Sequence, residues 1–193
     1  MRRSRPSDGL AMPAAGQRGY FGVGVEGISK AMNLGAILRT AHAFNASFAF
    51  TIAADHRARA VFQSDTARSI RHVPYYAWET LEDLVLPSGC SLVGVELTDA
   101  AAELPSFRHP RAAAYVFGRE RGSLSDALLS RCDHVVKVPT KFCVNVSVAC
   151  AITLYDRMLS SSAWPDRPIM PGGPELDAVS RWRRPRRRKD AGG

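Results

Sequence analysis

The sequence predicts an α/β fold, with a mostly parallel sheet carrying helices on both faces. Continuous apolar runs of strand length recur along the chain, helical patterns separate them, and no Asn-Gly or Asp-Gly hairpin signal stands between them. A chain of 193 residues accommodates one well-buried domain with loose ends and leaves little room for a second core. In open sheets of this kind, ligands bind beyond the carboxyl ends of the strands. The loops expected there are 26–27, 118–122 and 139–144.

Order is expected to begin near Gly19, because residues 1–18 combine Arg, Ser, Pro, Ala and Gly without apolar periodicity and read as disordered. A buried strand is predicted over 20–25, ended by Glu26-Gly27, then a helix over about 33–44 with Asn33 as its N-terminal cap. A strand over 47–52 leads into a basic connection of moderate helicity bearing Arg57, Arg59, Arg68 and Arg71. A short strand at 74–78 and a short helix at 81–86 precede Pro87-Ser88-Gly89. Strands over 91–97 and 112–117 flank an Ala-rich, acidic connection. Ser125 and Asp126 form a good cap pair for a helix of about eight residues, and a last strand over 134–138 precedes a helix from Asn145. From Ser161 the chain turns to Pro and Gly and reads as a linker. The expected organisation is a disordered 1–18, a domain over 19–160, and a linker with a basic tail over 161–193.

The net charge of +8 belongs to the ends of the chain. Residues before Leu10 contribute +2 and residues after Ser180 contribute +6, while the segment between carries 16 basic and 16 acidic side chains. The folded part is therefore neutral overall. The tail, with Arg183, Arg184, Arg186, Arg187 and Arg188 beside Trp182, suits phosphate binding with one aromatic for stacking, or else is a solvated end. Cys90, Cys132, Cys143 and Cys150 show no Cys-x-x-Cys spacing and no paired histidines, so no metal site is expected and the thiols read as reduced. Neither a membrane span nor a signal peptide is supported, which points to a soluble, cytoplasmic protein.

Several stretches carry candidate chemistry. Gly22-x-Gly24-x-x-Gly27, with Asp55 as a ribose-binding acid, matches a dinucleotide fingerprint, but its glycines fall inside the first strand instead of after it, which disfavours an NAD-binding Rossmann site. Arg39 sits among Ile37, Leu38, Ala41 and Ala43, where a charge needs a partner. It is either half of a structural ion pair or a guanidinium held for phosphate or a ribose hydroxyl. Gly118 to Leu124 joins a strand to a helix, its glycines suiting either a plain turn or close backbone approach to a ligand. Glu120, flanked by Arg119 and Arg121, is either part of an exposed charge cluster or a carboxylate that bonds backbone amides or Arg39. Residues 135–160 run from an apolar strand through Pro139 and a tight loop into a small-residue helix. That segment is either a packed core helix or the wall of a ligand site. No Ser-His-Asp set and no Gly-x-x-x-x-Gly-Lys motif can be assembled.

Taken together, NLGAILRTAHAF, YVFGRERGSLS and VPTKFCVNVSVACAITLYDRM resemble, in order and spacing, the three motifs of the SpoU/TrmH branch of the SPOUT RNA methyltransferases. The resemblance covers about residues 20–159. It implies methyl transfer from S-adenosylmethionine to a ribose 2′-hydroxyl in tRNA or rRNA, without a metal. It also implies a homodimer and a C-terminal trefoil knot that forms the cofactor pocket. By position, Asn33 and Arg39 match the first motif, Glu120 the second and Asn145 the third, and these four would form the catalytic set. Phe117, Gly118, Glu120, Gly122, Val138, Val144, Asn145 and Val146 would hold the cofactor. Arg39 and the tail arginines would meet RNA. An arginine, with a pKa above about 12, suits an electrostatic clamp better than a general base. A noncatalytic RNA-binding member of the fold is the competing expectation. Two departures concern the pocket: Cys143-Val144-Asn145 replaces the usual Ser-Leu-Asn in a shortened loop, and Ser123 stands where glycine is usual. A thiol is the poorer hydrogen-bond donor, so the departures point to a reshaped pocket, with either weaker cofactor affinity or a changed rate.

Overall fold

A computed structural model describes residues 19–55, 72–119, 122–161 and 171. Contacts divide the chain into two units, Met1–Ser162 and Ala163–Gly193, and of the second only Pro171 is described. The expected disordered N-terminus, most of the basic connection after Asp55, and nearly all of the linker and tail lie outside the described residues.

Seven strands, β1 (Tyr20–Glu26), β2 (Phe48–Ile52), β3 (Tyr75–Trp78), β4 (Ser91–Val95), β5 (Ala102–Glu103), β6 (Ala112–Phe117) and β7 (His134–Lys137), form one sheet in the order β3-β2-β1-β6-β4-β7-β5. Every pairing is parallel, as the missing hairpin signals predict. Among the described residues the helices are α1 (Ala31–Ala43), α2 (Asp126–Arg131) and α3 (Val146–Ser161). Strand side chains alternate between two apolar layers. Val23, Val25, Tyr115 and Phe117 cluster with Leu34, Ile37 and Leu38 of α1 and Cys150 and Leu154 of α3. Phe48, Phe50, Ala114 and Val116 cluster on the other side with Leu84, Leu124 and Leu128. Each large apolar side chain so buried contributes about 1.5–3 kcal/mol, which is how a neutral segment of mixed polarity secures helices on both faces.

The glycine pattern in β1 has a packing cause. A Cβ at Gly22 would collide with the ring of Phe48, and one at Gly24 with the ring of Phe50. Both residues lie within the strand, and the space they leave is filled by aromatic rings of β2.

Some element boundaries differ from expectation. α1 starts two residues before Asn33, with Lys30 at the cap position and no side-chain capping bond there, so Asn33 is not the cap. Asn33 is instead a buried helical residue whose side chain has a partner elsewhere. The helix expected at 81–86 does not form. Asp83 accepts from both the amide and the hydroxyl of Thr80, and the Arg131 guanidinium takes the carbonyls of Leu81 and Leu84 that would continue a helix. The connection before β6 holds the two-residue β5 and a 3-10 turn, Leu104–Ser106, anchored by buried Leu104. β4 stops at Val95 and β7 at Lys137, and α2 has six residues.

α3 is fastened to β6 by a polar network. Buried Arg157 donates to the carbonyls of Pro110 at 2.8 Å and Arg111 at 3.0 Å and to the Tyr115 hydroxyl at 2.9 Å, with its guanidinium 4.9 Å from the centre of the Phe21 ring. His109 joins Tyr115 at 2.6 Å and Asp156 at 2.9 Å. Burial pushes the Tyr115 hydroxyl up to about 12 and lowers His109, against the opposing pull of Asp156.

Candidate functional site

The carboxyl ends of β4, β6 and β7 converge on loops that, with the start of α3, surround a cavity of about 260 Å³. Phe117 and Gly118 reach it from the end of β6, Gly122 from the following loop, Val138 from beyond β7, and Val144 and Val146 from the turn into α3. Six of the eight residues singled out in the sequence as cofactor contacts thus line one cavity. Asn145 stands between two of them. Glu120 lies outside the described residues. Gly118 allows close approach of backbone, because a Cβ there would come within 3.0 Å of the Leu124 amide.

Two carboxylates fix the loop between β6 and α2. Glu96, just past β4, accepts from the amide of Leu124 at 2.8 Å and from that of Leu97 at 2.9 Å. Glu26, at the end of β1 and buried, accepts from the amide of Ser125 at 2.8 Å and its hydroxyl at 2.6 Å. Ser125 then caps α2, its Oγ accepting from the amide of Leu128. Charge-assisted bonds of this kind are about twice as strong as neutral ones, so the loop is held at two adjacent amides by two separate strands.

Asn145 caps α3 in the same manner. Its Oδ1 accepts from the amide of Ser147 at 2.9 Å and its hydroxyl at 2.7 Å, while Nδ2 donates to Oδ1 of Asn33 at 3.3 Å. The asparagines of the first and third motifs therefore meet. Arg39 does not join them. The helical step that buries Ile37, Leu38 and Ala41 turns Arg39 to solvent, away from the cavity lining. It forms no ion pair with a described residue, which corrects the expectation of a charge set among apolar neighbours. The tail arginines, Arg183, Arg184, Arg186, Arg187 and Arg188, lie outside the described residues.

Sequence reasoning missed Glu26 and Glu96 as anchors, and Arg119 and Thr140 as lining residues, whereas Cys143, whose replacement of serine was read as reshaping the pocket, does line it. Glu26 ends a buried strand and Glu96 directly follows one, and that position was the available signal. Cys143 is an exposed free thiol on the cavity wall. By contrast, burial raises the thiol of Cys150 well above its ordinary range and pushes that of Cys132 up to about 11. Among the described residues no group of His, Cys, Asp and Glu is arranged to hold a metal ion, and no helix is long and apolar enough to cross a membrane.

The sequence pattern of the SpoU rRNA Methylase family matches residues 21–155. Among solved structures, the SpoU methyltransferase AviRb from Streptomyces viridochromogenes superposes with a TM-score of 0.62 at 19% identity, over 78% of this chain and 62% of that one. The AdoMet-bound rRNA methyltransferase from Sinorhizobium meliloti gives 0.66 at 19% identity, over 75% and 58%. A structure concerned with the 2-OH methylation of C/U34 on tRNA gives 0.63 at 18% identity, over 74% and 91%. At these identities the likeness shows the fold, and the chain spans about three fifths of the length of the first two proteins. Comparison with curated proteins gives no match. The family pattern covers both the β6–α2 loop and the Asn33–Asn145 junction, and with it the chain is a member of the SpoU rRNA methylase family.

Proposed function

We propose that this chain transfers a methyl group from S-adenosylmethionine to the 2′-hydroxyl of a ribose in tRNA or rRNA. The observation that carries the reading is the cavity at the strands' carboxyl ends, built jointly from the second and third motifs in a member of this family. The S. meliloti protein and AviRb are both known with AdoMet, and one neighbour concerns tRNA 2-OH methylation. The lining suits such a cofactor. Phe117, Val138, Val144 and Val146 offer apolar walls to adenine, Gly118 admits backbone contact, and Glu96 offers acceptor oxygens to ribose hydroxyls.

When bound, the cofactor supplies a methyl group on a sulfonium, which the 2′-oxygen takes up as it loses its proton. The protein's part is placement and exclusion of water. Asn145 holds the start of α3 against Asn33, and Glu26 and Glu96 hold the opposite wall. Arg39, facing solvent, acts on RNA instead of the cofactor, its guanidinium steadying phosphate and hydroxyl. The tail arginines assist RNA capture. In this reading the chain is knotted at its C-terminal end and works as a cytoplasmic homodimer. α3 presents Val148 and Tyr155, and α1 presents Met32, as exposed apolar side chains for a second copy.

Calorimetric titration of the full chain with S-adenosylmethionine tests the reading. One saturable site per chain is expected. A titration without heat at any reachable concentration contradicts the transferase and favours a noncatalytic RNA-binding protein.

A further inference from the structure

A second cleft, of about 740 Å³, adjoins the cavity and is lined by Glu26, Gly27, Ser29, Lys30, Asp55 and Arg119. Arg119 also lines the 260 Å³ cavity and so forms part of the partition between the two. Its side chain is held between two glycines. A Cβ at Gly27 would come within 3.3 Å of its Nε, and one at Gly122 within 3.2 Å of its Cδ. Both glycines take positive φ, +61° and +149°, so larger residues are disfavoured at both positions by backbone as well as by space. Among the described residues, the cleft's acids are Glu26, which accepts from Ser125, and Asp55, and its cations are Lys30 and Arg119.

We propose that Arg119 is a substrate-positioning residue that binds the phosphodiester on the 3′ side of the ribose to be methylated, with Lys30 beside it. The inference rests on the transferase reading for the identity of the neighbouring cavity. A ribose seated at the partition would turn its 2′-oxygen toward the first cavity and bring its 3′-phosphate, attached to the adjacent ring carbon, to Arg119. A planar guanidinium is suited to paired bonds with phosphate oxygens. The ribose and its base then occupy the second cleft, and Arg119 sets the register of the strand without reading its sequence.

The test uses the full chain, Arg119→Ala and Arg119→Lys, with bulk tRNA as the RNA probe and no cofactor, and separately with S-adenosylmethionine by calorimetry. Arg119→Ala should weaken RNA binding about tenfold and lower the slope of log affinity against log salt by about one. Arg119→Lys should keep the slope but recover only part of the affinity. Because Arg119 also borders the cofactor cavity, cofactor affinity should fall by less than RNA affinity in both variants. An unchanged salt slope in Arg119→Ala overturns the proposal. So does a wild type that binds no RNA, or a loss of cofactor affinity as large as the loss of RNA affinity. A wild type that fails to bind S-adenosylmethionine while the slope still falls by one refutes the transferase reading and upholds the phosphate contact.

Discussion

The side-chain amide of Asn145 donates to the side-chain oxygen of Asn33 at 3.3 Å, joining residues 112 positions apart in the chain. The same Asn145 caps α3 through Ser147. One side chain thereby sets both where α3 begins and how its first turn sits against α1.

These two duties separate by substitution. Asn145→Ala should cost about 1 kcal/mol of stability, the usual worth of an N-cap, and should also weaken cofactor binding. Asn145→Ser can restore the cap but is too short to reach Asn33. Urea denaturation should therefore show Asn145→Ser near wild type while calorimetry still shows weakened binding of S-adenosylmethionine. Recovery of both together would mean that the Asn33 contact is incidental.

The Glu26–Ser125 pair predicts a defect that begins at the loop. Glu26→Ala leaves the Ser125 amide and hydroxyl without their charged acceptor, a loss of about 1.5–3 kcal/mol. Glu26→Gln retains one acceptor and should lose less. Hydrogen exchange should speed at Ser125 and Leu128 before it does so in β6. Uniform acceleration across the sheet would indicate a general loss of stability instead.

His109 gives the fold a pH dependence of known sign. Its pKa is lowered by burial, with Asp156 opposing and Arg157 reinforcing the shift. A histidine whose folded pKa lies below its unfolded value contributes fully above the unfolded value of about 6.5. That contribution is lost as pH falls from there toward the folded value. Unfolding free energy should thus decline on acidification below about pH 6.5, and His109→Gln should flatten this part of the curve. A wild-type curve that rises on acidification would show that the Asp156 ion pair outweighs burial.

Cys143 reports on the cavity. It is exposed and lines the site, while Cys150 is fully buried and Cys90 and Cys132 are half-buried. N-ethylmaleimide should modify Cys143 first, and saturating S-adenosylmethionine should slow that reaction severalfold. Peptide mass analysis checks both. Equal labelling with and without cofactor would place the cofactor away from this wall. Cys143→Ser should tighten cofactor binding if the thiol's weak donation limits it.

The sheet was legible because parallel strands buried on both faces leave continuous apolar runs, as in FAFTI of β2 and AAAYVF of β6. The cavity lining was legible because its residues fall in contiguous motifs. The rest depends on partners distant in sequence. Asn33 reads as a cap by residue type, yet it is spent on Asn145. Residues 81–86 have a helical pattern, but Arg131, some fifty positions on, takes the carbonyls of Leu81 and Leu84. Arg157 lies in an apolar helix and gives no local sign that β6 and the carbonyls before it will satisfy its guanidinium. Glu26 ends a strand as any polar residue does, and only the fold brings Ser125 to it across 99 positions.

The central claim is methyl transfer to a ribose 2′-oxygen, and alkaline hydrolysis reads it directly because a 2′-O-methyl group blocks cleavage of the neighbouring phosphodiester. RNA from cells lacking this protein, incubated with the full chain and methyl-labelled S-adenosylmethionine, should yield label in alkali-resistant dinucleotides. Arg39→Ala should abolish that label while leaving cofactor binding largely intact. Label recovered in mononucleotides, marking a methylated base, or no label from a chain that binds the cofactor, would contradict the account.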